Sequence, residues 1–186
     1  MLVAPSGAGK TTIAKRLLSE LDVLSFSTSA TTRPPRENET HGKDYFFLSP
    51  DQFQEHIDNG DFVEWEEFYG GKRYGTLKRE VENKLKNGYF ILLDLEVKGA
   101  MNVKEQFGNA CLTIFIKPPS LQVLRERLIG RGSESEETLQ RRLARAEYEL
   151  SLENKFDLVI LNDVLEQAFD DARSAVLDEI DKTNQS

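Results

Sequence analysis

Short apolar runs alternate along the chain with segments of helical period. Four runs rich in β-branched or aromatic residues are too short for helices and are typical of strands buried on both faces: VLSFS near Val23, YFILLDL near Tyr89, CLTIFI near Cys111 and FDLVIL near Phe156. The segments TTIAKRLLSEL and LQVLRERL space their large apolar residues three or four apart, which predicts amphipathic helices. Together with the short apolar start of the chain, this pattern predicts an α/β fold with a parallel five-stranded sheet flanked by helices.

The stretch 31–76 interrupts this alternation. It opens with TTRPPRENETHGKDY, in which prolines and polar residues exclude a long regular element. In SPDQFQEHIDNG, Ser49 and Gln52 have the spacing of a capping box, Pro50 stands at the first helical position and Gly60 ends the helix. The aromatic-rich segment FVEWEEFYGGKRYG then predicts a hairpin that turns at its glycine pair. We therefore expect an inserted lobe with a small mixed or antiparallel sheet.

A second irregular stretch, IGRGSESEE, separates two helical segments. Its glycines and polar residues predict a mobile lid that covers about residues 129–153. The chain is predicted to be one domain, 1–186, whose core consists of the remaining segments 1–30, 77–128 and 154–186.

Composition limits the partners that such a domain can bind. Of the 186 residues, 39% are hydrophobic and 30% are charged, and no apolar run approaches the length of a membrane span. The formal net charge of -8 disfavours a general nucleic-acid surface, so an anionic ligand requires a local cluster of cations and backbone donors. The single cysteine excludes an intrachain disulfide, and the chain does not start with a basic, apolar leader. We expect a cytoplasmic protein without nucleic-acid or membrane partners.

The segment APSGAGKT, between the apolar start and the first helix, has the pattern of a phosphate-binding P-loop, with Ala4 in place of the first glycine. Gly7 and Gly9 allow backbone amides to converge on phosphate oxygens, and the following helix presents its positive N-terminal end to the same anion. Lys10 is expected to reach the β- and γ-phosphates of a nucleotide, and the Thr11 hydroxyl is expected to bind Mg2+. The predicted ligands of the nucleotide in this segment, which the resemblance given below identifies as ATP, are Ser6, Gly7, Ala8, Gly9, Lys10, Thr11 and Thr12. A glycine-rich turn that binds no ligand is the alternative.

Further motifs accompany the P-loop in a fixed order: SATTRPPR, GKDYFF, FVEWEEFYGGKRYGT, LLDLEVKGA, IFIKPPS, RLIGRG and LVILND. In the order and spacing of these motifs, from Ala4 to about Asp163, the chain resembles guanylate kinases. The resemblance implies a P-loop NTPase core, a GMP-binding lobe at 31–76 and an arginine-bearing lid. It also implies transfer of the γ-phosphoryl group of ATP to GMP, giving ADP and GDP, with Mg2+ as cofactor in purine nucleotide metabolism.

The same resemblance implies an acceptor site. The positions that match GMP ligands of the family are Ser29, Arg33, Arg36, Tyr45, Glu64, Tyr74, Thr76, Asp94 and Glu96. In the family the arginines and tyrosines hold the GMP phosphate, whereas Glu64, Ser29 and Thr76 face the base. A carboxylate suits guanine because it can accept hydrogen bonds from the adjacent N1 and N2 donors, which adenine lacks. Glu96, also near the base, stands where the family mostly carries aspartate.

Taken without the resemblance, several of these residues have ordinary interpretations. Arg33 and Arg36 could be solvated loop residues, the two tyrosines could pack the core of the lobe, and Glu64 could lie on a solvated strand. Guanidinium forks nevertheless suit a phosphate dianion, and a phenol donates a hydrogen bond to phosphate without adding charge. Both interpretations stay open at the level of the sequence.

Three arginines match residues of the family that close on the transferring phosphate: Arg127, Arg131 and Arg142. The resemblance assigns Arg127 and Asn162 to the ATP side. It also gives Asp94 the place of an acidic residue near Mg2+, which it would contact through water. Because phosphoryl transfer depends on alignment and charge neutralisation, the catalytic candidates are Lys10, Arg131 and Arg142.

Two other functions share part of these motifs. One is a guanylate-kinase-like module that binds phosphorylated peptides without catalysis, but such modules have damaged P-loops, whereas Lys10 and Thr11 are present here. The other is a related P-loop kinase that acts on a different phosphorylated acceptor. The sequence leaves open the choice between a monomer and a homo-oligomer and the acceptance of dGMP.

Overall fold

The computed structural model describes residues 1–68, 70–130 and 136–185. The chain divides into two compact units, one formed by Met1–Asp22 with Leu92–Ser186 and the other by Val23–Ile91. We refer to them as the first and the second unit. The predicted lobe, 31–76, lies within the second unit, which extends beyond it at both ends.

Strands and helices are numbered along the chain. The strands are β1 (Leu2–Val3), β2 (Leu24–Phe26), β3 (Ala30–Thr31), β4 (Phe46–Phe47), β5 (Phe62–Phe68), β6 (Lys72–Leu77), β7 (Phe90–Leu92), β8 (Asp94–Leu95), β9 (Ile114–Lys117) and β10 (Leu158–Leu161). The α-helices are α1 (Lys10–Glu20), α2 (Pro50–Asp58), α3 (Lys78–Lys86), α4 (Val97–Phe107), α5 (Leu121–Gly130), α6 (Glu136–Ser151) and α7 (Leu165–Asn184). Among the described residues, no helix combines the length and the apolar character needed to cross a membrane.

The first unit is built on a parallel sheet with the strand order β10-β9-β1-β8. The α/β class is confirmed, but the predicted count of five parallel strands is wrong, because among the described residues this sheet has four. The run YFILLDL does not form one strand, since its pairing changes at Leu93, whose carbonyl accepts the Leu2 amide at 2.9 Å. As a result, β8 pairs with β1, whereas β7 pairs with β2 in a separate two-stranded sheet.

The core of the first unit lies between this sheet and the helices beside it. Leu2 and Val3 of β1 are fully buried, as are Ile13 and Leu17 on the predicted apolar stripe of α1. Each such side chain stabilises the fold by about 1.5–3 kcal/mol when it leaves water. Because these residues hold α1 against β1, they also fix the position of the loop that joins the two elements.

Helices α5 and α6 pack against each other through a small apolar cluster of the first unit. The buried members of this cluster are Leu124, Leu128, Leu139 and Ala146. The predicted lid, about 129–153, consists largely of α6, and its residues 131–135 lie outside the described part of the chain. Movement of this lid stays a prediction.

The second unit contains a mixed sheet with the strand order β4-β3-β6-β5. β3 and β4 are parallel, whereas β6 is antiparallel to both β3 and β5, so the predicted hairpin and small mixed sheet are confirmed. The capping box of α2 is also present. The Gln52 amide donates to the Ser49 hydroxyl at 3.1 Å, and the Ser49 amide donates to the Gln52 side chain at 2.8 Å.

Aromatic packing fixes the register of the hairpin formed by β5 and β6. Phe53 of α2 stacks on Phe62 of β5 with ring centres 4.5 Å apart, and both side chains are buried. A Cβ atom at Gly75 would come within 2.8 Å of the Phe62 ring, so glycine permits this close approach. In the resulting register Glu64 lies opposite Thr76.

Candidate active site

The loop between β1 and α1 has the backbone that a P-loop requires. Gly7 and Gly9 have φ angles of 92° and 100°, in the left-handed region that favours glycine. A Cβ atom at Gly9 would lie 2.2 Å from Nδ2 of Asn162, and one at Gly7 would lie 3.0 Å from Leu128. Gly9 is therefore required both by its conformation and by the space around it.

Several backbone amides of this loop lack partners in the described part of the chain. The amides of Ser6, Gly7, Gly9, Lys10 and Thr11 donate no hydrogen bond to a described residue. They lie at or just before the first turn of α1, where a helix also carries partial positive charge. The loop is thus equipped to bind an anion such as a phosphate group.

Lys10 is held at the first turn of α1 by two oxygen atoms. Its Nζ atom donates to the Leu95 carbonyl at 2.7 Å and lies 2.5 Å from Oδ1 of Asp94. The Lys10 and Asp94 side chains are mostly buried, with 13% and 23% of their surfaces exposed. The structure therefore brings together the predicted phosphate-binding lysine and the predicted acidic residue near Mg2+.

The oxygen atoms in this region fit a magnesium site. Mg2+ prefers oxygen ligands and is commonly held by one or two carboxylates together with substrate phosphates and water. Asp94 supplies a carboxylate, and Thr11, exposed in the first turn of α1, supplies a hydroxyl. Among the described residues there is no group of three or more His, Cys, Asp or Glu side chains suited to a metal, so substrate and water would provide the other ligands.

Asn162 supports the P-loop from the end of β10. Its Nδ2 atom donates to the Ala8 carbonyl at 2.7 Å, and the side chain is buried. The backbone carbonyl of Asn162 accepts a hydrogen bond from Arg127 at 3.0 Å. The side-chain donor of Asn162 is thus directed at the loop backbone, and direct contact of Asn162 and Arg127 with ATP stays a prediction.

Of the two arginines predicted to be catalytic, only Arg142 is described, because Arg131 lies outside the described residues. Arg142, on α6, donates to the hydroxyl of Ser6 at 3.3 Å. A predicted catalytic guanidinium therefore lies beside the P-loop within the first unit.

Glu96 precedes α4 and contacts an arginine that the sequence analysis did not select. Its Oε2 atom lies 3.2 Å from Nη2 of Arg145, whose Nε atom donates to Glu149 at 2.8 Å. Glu149 is only 3% exposed, and burial raises the pKa of its carboxyl group. The spacing of four residues between Arg145 and Glu149 on α6 is a sequence signal for their pairing, but no signal links them to Glu96.

In the second unit, the buried Arg33 is fixed by a carboxylate that the sequence analysis missed. Nη1 and Nη2 of Arg33 donate to the two carboxylate oxygens of Glu39, each at 2.6 Å. Nη1 also donates to the Pro34 carbonyl, and the Arg36 amide donates to Glu39 at 2.8 Å. The hydrogen bonds from Arg33 and then from Arg36 lower the pKa of Glu39 to about 2, and the bond to Glu39 raises the pKa of Arg33.

Two tyrosines lie beside Arg33. Its Cζ atom is 4.9 Å from the centre of the Tyr45 ring, and Tyr45 meets Tyr74 edge to face with ring centres 6.1 Å apart. The structure therefore brings together three of the predicted ligands of the GMP phosphate. Arg36 is exposed on the same loop as Arg33, and Ser29 is half-buried just before β3.

Glu64 and Thr76 face each other across β5 and β6. The buried Thr76 hydroxyl donates to Oε1 of Glu64 at 2.8 Å. Burial raises the pKa of Glu64; the hydrogen bond from Thr76 opposes this rise, and the charge of Glu66 adds to it. A largely desolvated carboxylate of this kind can accept hydrogen bonds from adjacent N–H donors of a ligand.

Known proteins similar to this chain include several guanylate kinases. The sequence model of the family described as guanylate kinase matches residues 1–179. A guanylate kinase from Bacteroides fragilis is 52% identical over 165 residues, which are 89% of this chain and 81% of that protein. One from Salinibacter ruber is 49% identical over 176 residues, which are 95% of this chain and 93% of that protein. The crystal structure of guanylate kinase from Anaplasma phagocytophilum is similar with a TM-score of 0.75 and 31% identity, and the match covers 96% of this chain and 85% of that one.

Proposed function

The chain belongs to the guanylate kinase family, a family of nucleoside monophosphate kinases, and we propose that it transfers the γ-phosphoryl group of ATP to GMP, giving ADP and GDP. The observation that supports this acceptor most strongly is the pair of binding features within the second unit. The Glu64–Thr76 pair suits the adjacent donors of guanine, and the cluster of Arg33 with its two tyrosines suits a phosphate dianion. A nucleotide that satisfies both features is GMP.

The P-loop is proposed to hold the phosphates of ATP. Its unpaired backbone amides and the Lys10 ammonium group supply donors and positive charge at the start of α1. On binding, Lys10 exchanges its bonds to Asp94 and the Leu95 carbonyl for bonds to phosphate oxygens. Bound Mg2+ would neutralise part of the phosphate charge, with Thr11 and, through water, Asp94 as its protein ligands.

Arg33 retains donors for a phosphate although Glu39 holds it. A guanidinium group has five N–H donors; three are used in the bonds to Glu39 and the Pro34 carbonyl, and Arg33 also has a side-chain hydrogen bond with Tyr74. The donor that is left, together with Arg36 and the hydroxyls of Tyr45 and Tyr74, is proposed to bind the GMP phosphate. Glu39 fixes the orientation of the guanidinium and is therefore a positioning residue.

Glu64 is proposed to select guanine over adenine. Its ionised carboxylate accepts hydrogen bonds from N1 and N2 of guanine, with Thr76 and Ser29 beside the base. AMP offers no such pair of donors and would leave a largely desolvated carboxylate without a partner, which is unfavourable. Selectivity for GMP then comes mainly from the penalty on AMP.

Catalysis in this proposal depends on alignment and charge neutralisation, and no side chain is assigned as a general base. Lys10, Arg142 and Arg131 are proposed to neutralise charge on the moving phosphoryl group. The contact of Arg142 with Ser6 supports this role, because it holds a guanidinium beside the loop that binds the donor phosphates.

A coupled assay of ADP formation tests the proposal. The chain is supplied with ATP and Mg2+ and is offered GMP, dGMP, AMP, CMP or UMP in separate reactions. We expect turnover with GMP and not with AMP, and we expect Lys10→Ala to abolish turnover while calorimetry still detects GMP binding. Equal turnover with AMP would refute the role of Glu64. Absence of turnover with every acceptor would favour the phosphopeptide-binding alternative.

A further inference from the structure

His41 binds a backbone amide at the edge of the mixed sheet in the second unit. β4 lies at one end of the strand order β4-β3-β6-β5, and the amides of Phe46 and Leu48 donate hydrogen bonds to the segment that contains β3, each at 2.9 Å. The Phe47 amide between them points away from β3, as amides on the outer side of an edge strand do. Nδ1 of His41 accepts the hydrogen bond from this amide at 3.2 Å. His41 therefore covers a donor that the pairing with β3 does not use.

The loop before β4 has a defined shape of its own. The Gly42 amide donates to the Tyr45 carbonyl at 2.8 Å, and the Asp44 amide donates to the Thr40 carbonyl at 3.0 Å. Oδ2 of Asp44 accepts a hydrogen bond from the Thr40 amide at 2.8 Å. These bonds make residues 40–45 a closed turn, so the bond to the imidazole joins this turn to the outer edge of β4.

The Phe47 side chain contacts two of the predicted ligands of the GMP phosphate. Its ring centre is 5.8 Å from that of Tyr45, and Cζ of Arg33 lies 5.5 Å from it. Cζ of Arg33 also lies 4.9 Å from the centre of the Tyr45 ring. The backbone position of Phe47, which the bond to His41 fixes, therefore determines how these three side chains pack.

We propose that His41 is a positioning residue for the cluster of Arg33 and its two tyrosines, and that it acts through Phe47. This inference rests on the proposed function, in which that cluster binds the phosphate of GMP. An imidazole nitrogen accepts a hydrogen bond only when it carries no proton, so neutral His41, with its ring proton on Nε2, makes this contact. Loss of the acceptor releases the outer edge of β4, and the cluster loses part of its pre-organisation for a phosphate. The expected signature is weaker GMP binding with an unchanged KM for ATP.

Two substitutions separate the hydrogen bond of His41 from the packing of its ring. His41→Phe keeps an aromatic ring for the edge-to-face contact with Phe46, whose ring centre is 5.8 Å away, but it has no acceptor. His41→Asn loses the ring, but its Oδ1 atom is bonded to Cγ as Nδ1 is in histidine and can accept from the same amide. Amide hydrogen exchange, measured by NMR without a ligand, should be slower at Phe47 in the unmodified chain and in His41→Asn than in His41→Phe.

Calorimetry measures the Kd for GMP at about pH 8, where an ordinary imidazole is neutral, and thermal unfolding is recorded for each variant. His41 is exposed, and the net contribution of one hydrogen bond is modest, so His41→Phe should raise the Kd for GMP by about twofold to tenfold. His41→Asn should stay within about twofold of the unmodified chain. The KM for ATP, from the coupled assay, should be the same in all three proteins.

His56→Phe is the matched control. His56 lies on α2 of the same unit, its Nδ1 atom is 2.8 Å from Oδ2 of Asp61, and its ring meets Phe62 edge to face with ring centres 6.0 Å apart. The substitution therefore removes a comparable contact and keeps a comparable ring. Neither partner belongs to the cluster of Arg33 and its two tyrosines, so the Kd for GMP should stay unchanged.

A double-mutant cycle with Tyr45→Phe shows whether His41 acts on the cluster. Tyr45→Phe removes a hydroxyl that is proposed to bind the phosphate and keeps the ring that packs against Phe47. The effect of His41→Phe on the Kd for GMP should therefore be smaller when Tyr45→Phe is present.

Several results would overturn the inference alone while the unmodified chain binds GMP. These are a Kd for GMP that does not respond to His41→Phe, an equal rise in His41→Asn or His56→Phe, and an undiminished effect when Tyr45→Phe is present. Equal exchange rates of the Phe47 amide in the unmodified chain and in His41→Phe would also overturn it. Failure of the unmodified chain to bind GMP would overturn the proposed function and this inference together.

Discussion

Replacement of Gly9 by alanine tests whether the P-loop conformation depends on its close contact with Asn162. Gly9 has a φ of 100°, and an alanine Cβ at this position would lie 2.2 Å from Nδ2 of Asn162. Asn162 then has to move and gives up its hydrogen bond to the Ala8 carbonyl. The substitution therefore strains the backbone and removes a buried hydrogen bond at the same time.

The size of the effect follows from these two contributions. A residue other than glycine in the left-handed region costs roughly 1–2 kcal/mol. A buried acceptor left without its partner costs roughly 1–3 kcal/mol. Together they predict a loss of roughly 2–5 kcal/mol in the free energy of unfolding. For a chain of this length, this loss corresponds to a fall in Tm of roughly 4–20 °C.

Gly88→Ala is the matched control for this substitution. Gly88 has a φ of 81°, but a Cβ atom there would meet nothing within 4 Å, so only the conformational cost of roughly 1–2 kcal/mol is expected. Scanning calorimetry measures the stability of both variants, and the coupled assay measures the KM for ATP. We expect the KM for ATP to rise only in Gly9→Ala. Equal stability losses in the two variants would refute the role assigned to the Asn162 contact.

Three further predictions concern the acceptor residues. Glu39→Gln should raise the KM for GMP more than it lowers kcat, because Arg33 loses its charged bidentate partner. Steady-state kinetics with saturating ATP measure both quantities. An unchanged KM for GMP would argue against a positioning role of Glu39. The folded-state pKa of Glu39 is about 2 against a reference of 4.5, so its contribution to stability is complete above about pH 4.5 and is lost as the pH falls toward 2. Acid unfolding followed by circular dichroism should show this loss, and Glu39→Gln should reduce it. Burial raises the pKa of Glu64, so this carboxylate is protonated at a higher pH than an ordinary glutamate, and the affinity for GMP should fall at that higher pH on acidification. Calorimetry at several pH values measures this affinity. The same pH dependence of GMP affinity in Glu64→Gln would contradict the prediction.

Features that depend on neighbouring residues could be predicted from the sequence. The capping box at Ser49 and the positive φ angles of Gly7 and Gly9 each follow from chemistry within a few positions of the chain. The strand count could not be predicted in this way. The interruption at Leu93 depends on which strands the backbone meets on either side, and a continuous apolar run carries no such information.

The candidate site also combines features that short sequence motifs predict with contacts that only the fold creates. The motifs predicted the P-loop and the acceptor residues, because their residue types are specific and their order is fixed, and the binding of GMP by the acceptor residues stays a prediction. Glu39 follows Arg33 by six positions in an irregular loop, where no helical or strand period would pair them. Arg145 and Glu96 are 49 positions apart, so only the fold brings them together.

Two of the cations assigned to phosphate binding, Lys10 and Arg33, are already paired with carboxylates of their own unit, and the two pairs differ in geometry. Lys10 is a point charge that contacts Asp94 through one atom, so a phosphate can replace that partner. The net free energy of that exchange is the difference between two charge-assisted hydrogen bonds, not the full strength of one. Arg33 instead binds Glu39 through two parallel hydrogen bonds, and its guanidinium group has further N–H donors that do not bond to Glu39. A phosphate can therefore bind while Glu39 stays in place. In the proposed function, Asp94 is therefore the partner that the phosphate displaces, whereas Glu39 stays in place as a support.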